Sequence, residues 1–147
     1  MKLRKLLLYL GLVLIVLGAF MATSVVWTLL DGSEHPGSTK VWSMCVAVTM
    51  GCGLLAHLVG RTGRPSRKSE TIELLPGSSD EITRREALLI VSLSWLLCIL
   101  FSALPMLMDG MVNSPVDALF EATSGITTTG STVLTDIESS SRASLWW

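Results

Sequence analysis

Residues 111–134 read MVNSPVDALFEATSGITTTGSTVL, and how this stretch is placed decides the fold. It is long enough to cross a bilayer, but its chemistry argues against a lipid-facing helix. Asp117 and Glu121 lie within it, and an Asp at the centre of a span costs about 2.5–3.5 kcal/mol on insertion scales. The stretch divides into two halves. Ser114-Pro115-Val116-Asp117 supplies an N-cap serine, a proline at the first helical position and an acid in the first turn. The spacing predicts a short helix over 115–125, closed by Gly125. Val116, Leu119, Phe120 and Thr123 share one face, and Asp117, Glu121 and Ser124 another. Such a helix is about 15 Å long, half the thickness of the hydrocarbon core. The second half, Thr127-Thr128-Thr129-Gly130-Ser131-Thr132-Val133, favours extended backbone through its β-branched residues, and Gly130 allows dihedrals its neighbours resist.

Outward from this stretch, the chain is built for lipid. Of its 147 residues, 50% are apolar and only 16% charged, with a formal net charge of −1. Soluble domains carry about 25% charge, and disordered chains are poor in apolar residues, so both classes are excluded. Three windows hold no charged residue: Leu6–Leu30, Val41–Gly60 and Ala87–Met108. Each reaches the ~20 residues a membrane helix needs. The first is too long for the h-region of a signal peptide and is expected to be a retained helix.

Basic residues set the orientation. Lys2, Arg4 and Lys5 precede the first window; Arg61, Arg64, Arg67, Lys68, Arg84 and Arg85 separate the second from the third. Only Lys40 lies in the link between the first two. The positive-inside rule therefore puts the N-terminus and residues 61–86 in the cytoplasm, and Asp109 outside. The 61–86 link carries the turn-forming stretches Gly63-Arg64-Pro65-Ser66 and Pro76-Gly77-Ser78-Ser79. Thr83-Arg84-Arg85-Glu86 reads as a capping box opening the third helix. Ala47/Gly51 and Ala56/Gly60 are small-residue pairs suited to close helix packing. Trp42, Trp146 and Trp147 suit membrane interfaces. Cys45, Cys52 and Cys98 lie inside the windows with no metal-ligand spacing and read as packing residues. His57 reads as a side chain reaching the headgroup region.

Non-helical backbone at membrane depth is tolerated only when buried in protein or lining a water-filled path. A half-helix followed by a Thr/Gly strand on the outer side fits a cation filter, in which carbonyls replace the ion's hydration shell. Asp136 and Glu138 would sit near its outer mouth, as cation-concentrating or simply solvated acids. An ordinary exofacial loop competes with this reading. Two other functions remain open: a non-transporting membrane anchor or adaptor binding a partner through 61–86, and the cation site of some other secondary transporter with broken helices. No nucleophile–base set, phosphate loop or metal cluster points to an enzyme.

Thr83-Arg84-Arg85-Glu86-Ala87, Trp95-Leu96-Leu97, Ala103-Leu104-Pro105, Asp117-Ala118-Leu119-Phe120-Glu121-Ala122 and Ser124 through Leu134 together resemble the membrane subunit of bacterial Trk-type potassium uptake systems, of the Trk/Ktr/HKT superfamily. The resemblance implies an all-α integral membrane protein whose pore is built from four repeats. Each repeat has two membrane helices flanking a re-entrant pore helix and a filter strand. On this pattern, residues 1–60 are a two-helix N-terminal extension, 61–86 a cytoplasmic link, and 87–147 the first repeat without its second helix. Thr128, Thr129, Gly130 and Ser131 would form the filter with Thr127 beneath. Thr128 and Thr129 would hold potassium by backbone carbonyls, and Ser114, Asp117 and Glu121 would support the pore helix. Potassium is then the transported substrate, with no cofactor. The resemblance further implies a location in the bacterial inner membrane, contact with lipid, a homodimer and a cytoplasmic nucleotide-binding regulatory subunit, with no nucleic acid partner.

Overall fold

The computed structural model describes residues 3–31, 37–62, 83–138 and 140–147. The turn-forming stretches at 63–66 and 76–79 lie outside the described residues. Five helices follow in order: α1 (Leu3–Asp31), α2 (Ser38–Arg61), α3 (Arg84–Met108), α4 (Pro115–Ile126) and α5 (Arg142–Trp146). No strand occurs among the described residues. The first three helices are long and apolar enough to cross a membrane; α4, with 12 residues, is not. The three charge-free windows are therefore helical, and each helix continues into the charged residues at its ends.

α1 and α2 form a tight hairpin because glycines remove the side chains between them. A Cβ on Gly11 would stand 2.5 Å from the backbone nitrogen of His57 and 2.6 Å from the carbonyl oxygen of Gly53. Gly60 meets Leu8 and the Arg4 carbonyl in the same way. Among apolar membrane helices, such backbone proximity replaces the hydrophobic drive that lipid cannot supply. Of the two small-residue pairs in α2, Ala56/Gly60 thus has its glycine in the contact. Around Gly51 there is open space, because the α1-facing stripe runs through Cys45, Thr49, Gly53 and Gly60, all buried. His57 places Nδ1 3.3 Å from the Leu8 carbonyl oxygen, so its ring bridges the two helices of the hairpin.

α3 opens with the expected capping box. Thr83 Oγ1 accepts from the Glu86 amide at 3.4 Å, and Glu86 Oε2 accepts from the Thr83 amide at 3.2 Å. It closes in a Schellman turn: Gly110 takes φ +79°, its amide donates to Leu107, and the Met111 amide donates to Met106. The chain thereby reverses at Asp109 and descends into α4. A small core of Ala103, Met106, Val112, Ala118 and Ala122 holds α3 and α4 together.

The buried face of α4 is therefore its alanine face, not the large apolar one. Val116, Leu119 and Phe120 are 72%, 37% and 44% exposed. The two helices approach closely where α4 side chains are small, which leaves its bulky face turned outward from this chain.

Substituting Gly11→Ala should destabilise the hairpin by about 1–3 kcal/mol, the usual cost of overpacking, because the new Cβ meets backbone that cannot rotate away. Gly51→Ala, facing open space, should be neutral or slightly stabilising. Thermal unfolding of the two variants in detergent measures the contrast.

Candidate ion-conducting loop

One carboxylate organises the end of the molecule where α2 begins and α3 ends. Asp109 Oδ1 accepts from Ser38 Oγ at 2.5 Å. Its Oδ2 accepts from Trp42 Nε1 at 3.2 Å, Ser141 Oγ at 2.6 Å and Ser144 Oγ at 2.7 Å. These donors come from α2 and from the start of α5. The chain leaves α3 at Asp109 and returns to the same side chain at Ser141, so the loop between them is closed on a single carboxylate.

The returning end is further fixed by tryptophans. Trp146 Nε1 donates to Thr23 Oγ1 at 3.0 Å, and its ring lies 5.5 Å from that of Trp27. Trp147 Nε1 donates to the Ser102 carbonyl at 3.2 Å and meets Trp42 edge-on at 6.3 Å. Trp42 is fully buried. It is an internal anchor rather than a lipid-interface residue, because its indole N–H has a charged acceptor inside the protein.

A carboxylate offers about four lone-pair sites, and four side-chain donors occupy Asp109. Three of them share Oδ2 and one meets Oδ1, so Asp109 acts as a structural anion that joins α2, the end of α3 and α5. Burial pushes its carboxyl up, but hydrogen bonds from Ser141, Ser38, Ser144 and Trp42 outweigh that and hold it below the ordinary 3.8.

Within the loop, α4 starts as expected. Ser114 Oγ accepts from the Val116 amide at 3.2 Å, Pro115 occupies the first turn and Asp117 follows in it. The end differs. Gly125 stays helical and α4 runs to Ile126. The left-handed residue is Thr128, at φ +55°. Its amide donates to Gly125, and the Thr129 amide donates to Ser124, which is a second Schellman closure. A β-branched residue in this conformation costs about 1–2 kcal/mol, and strain of this kind gathers where function needs an unusual backbone. Gly130 is left-handed again, at φ +73°. The strand is therefore not uniformly extended; it alternates hand at Thr128 and Gly130.

Side chains of α4 hold this backbone. Ser124 Oγ donates to the Ser131 carbonyl at 2.6 Å. Glu121 Oε1 accepts from Thr132 Oγ1 at 2.7 Å and from the Val133 amide at 2.6 Å. Thr127 Oγ1 donates to the Thr123 carbonyl at 2.7 Å and lies 2.7 Å from Thr129 Oγ1. The structure thus brings together Thr127, Thr128, Thr129, Gly130, Ser131 and Glu121, while Ser114 and Asp117 sit at the other end of α4. Residues 127–133 are exposed in this chain, as are Asp136 and Glu138. Sequence reasoning missed Asp109, Ser124, Ser141 and Ser144. The clue to Asp109 was a lone acid directly after a membrane helix; nothing in the spacing marks its serine donors, which lie far apart in the chain.

The described cysteines are all free, and no group of three His, Cys, Asp or Glu side chains that could hold a metal occurs among the described residues. The class is set by the architecture: an all-α, multi-pass membrane protein in which three helices long enough to span are followed by a short helix and a returning loop. No family model matches the sequence. It is 32% identical, over its whole length, to the Trk system potassium uptake protein TrkH of Halomonas elongata, of which it spans 27%. It is 41% identical over 71 residues, 48% of the chain, to the Trk system potassium uptake protein TrkG of Escherichia coli, of which that match spans 15%. The chain is thus similar to Trk-type potassium uptake proteins, and it spans about a quarter of the length of the longer-matching relative. These relatives are transport proteins, not enzymes.

The lowered carboxyl of Asp109 gives a signed pH dependence. A depressed folded-state value adds stability that is complete above the ordinary 3.8 and is lost as pH falls through the folded-state value. Asp109→Asn should therefore be less stable than the parent at neutral pH, and the gap should close in strong acid. Melting temperatures of both proteins across pH 2–7, in acid-tolerant detergent, measure it.

Proposed function

We propose that this chain contributes one filter strand to a potassium uptake protein of the bacterial inner membrane. Thr128, Thr129, Gly130 and Ser131 form the strand, and Thr127 lies beneath it. Thr128 and Thr129 offer backbone carbonyls to the ion, and dehydrated potassium passes from carbonyl to carbonyl. Ser114, Asp117 and Glu121 keep the pore helix in place: a capping hydroxyl, an acid in the first turn, and a carboxylate that grips the strand beyond the filter. In this reading the other strands come from further repeats of the full-length protein. The observation that carries it is the loop's return to Asp109 together with the left-handed positions at Thr128 and Gly130. The names of the two relatives supply the ion.

The organisation follows. Residues 1–60 are the peripheral two-helix extension, 61–86 the cytoplasmic link and 87–147 part of the first repeat, with the N-terminus inside. A homodimer and a cytoplasmic nucleotide-binding regulatory subunit complete the assembly. The alternative of a simple membrane anchor has less support, because an anchor has no use for a strained threonine turn followed by a strand bonded to two α4 side chains, Glu121 and Ser124.

Gly130→Ser in the full-length protein should abolish or strongly reduce rubidium and potassium uptake, since φ +73° penalises any Cβ. Thr123→Ala should matter less, because the Thr123 hydroxyl bonds only within its own helix, to Leu119. Ion uptake at matched membrane abundance checks both, and unchanged uptake with unchanged sodium discrimination in Gly130→Ser would overturn the assignment.

A further inference from the structure

The Ser124 hydroxyl makes a bond that a helix support does not require. A serine in a membrane helix ordinarily returns its hydroxyl to the carbonyl one turn back, as Ser94 does to Ile90 at 2.7 Å. Ser124 instead reaches across to the loop and donates to the Ser131 carbonyl at 2.6 Å. Ser124 is itself buried, while Ser131 is exposed. The donor is therefore the enclosed partner and the acceptor the exposed one.

We propose that Ser124 is a specificity-determining positioning residue, which turns the Ser131 carbonyl towards α4 and so ends the run of ion-facing carbonyls at Gly130. The inference rests on the filter reading above. Its physical basis is geometric. The helix lies behind the strand and the ion in front, so a carbonyl bound to the helix does not point at the ion. Beyond it, Glu121 fixes Thr132 and Val133, so the strand is held at two successive points just past Gly130. A ring of carbonyls discriminates between cations by the number and placement of its dipoles. Releasing one carbonyl at the end of the run changes both. A smaller cation, which needs closer oxygens, gains most from a carbonyl free to move.

The test uses the full-length protein with three variants. Ser124→Ala removes the hydroxyl without adding volume. Ser124→Thr keeps it. Gly130→Ser reports on the filter itself. Rubidium uptake, its apparent KM and its inhibition by sodium are measured at matched membrane abundance and melting temperature. Ser124→Ala should lose about three- to tenfold in rubidium-over-sodium discrimination, the scale of one neutral hydrogen bond, and Ser124→Thr should retain it. Equal discrimination in Ser124→Ala and the parent, with Gly130→Ser defective, would overturn this proposal and leave the filter reading standing. Parental behaviour in Gly130→Ser would overturn the filter reading itself. A loss of uptake in Ser124→Ala that tracks lost abundance, and is equal for both ions, would show a folding role and also count against the proposal.

Discussion

The carboxylate of Asp109 is the point through which α2, the end of α3 and α5 are assembled. Four donors from two other segments converge on it, and the chain itself turns there through Gly110. Closing a loop of some thirty residues carries an entropic cost that grows only slowly with length, but it must be met by contacts at the loop's two ends. Here one end is the anion and the other is Ser141 and Ser144. A charge-assisted hydrogen bond is roughly twice as strong as a neutral one, so a single partly buried carboxylate can join three segments where a cluster of neutral groups would be weaker. The same bonds make Asp109 a scaffold for the loop.

From that closure the shape of the loop follows. The alanine face of α4 packs on α3 beside Met106 and Val112, which sets the depth at which the helix ends. Its end is a threonine turn in which Thr128 takes the conformation glycine usually supplies. Glu121 and Ser124 then reach from the helix to the strand. Support thus runs from the α1–α2 hairpin through Trp42 and Ser38 to Asp109, from there along α3 and α4, and finally to residues 127–133. The N-terminal hairpin is part of this support, although it lies furthest in sequence from the loop.

Much of this was legible in the residues. Charge-free windows of sufficient length mark α1, α2 and α3, because lipid admits few alternatives. Thr83/Glu86 and Ser114-Pro115 mark helix starts through local hydrogen bonding, and both caps form. The acids at 117 and 121 kept the fourth apolar stretch out of the lipid. What escaped depends on tertiary contact. Gly125 has the residue type of a helix terminator, yet the closure falls at Thr128, because Ser124 and Glu121 dictate where the strand must go. The buried face of α4 is chosen by the space beside α3, not by hydrophobicity. Trp42 reads as an interface residue until Asp109 is seen next to it. The serines that bond to Asp109 are ordinary in sequence and become partners only when the chain returns.

The central claim is that backbone carbonyls around Thr128 and Thr129 receive the ion. The most direct measurement is anomalous scattering from rubidium or thallium soaked into crystals of the full-length protein. The account predicts density coordinated by carbonyl oxygens of Thr128, Thr129 and Gly130 together with equivalent groups from other strands. Ordered density confined to carboxylates such as Asp136 and Glu138, with none at these carbonyls, would contradict it.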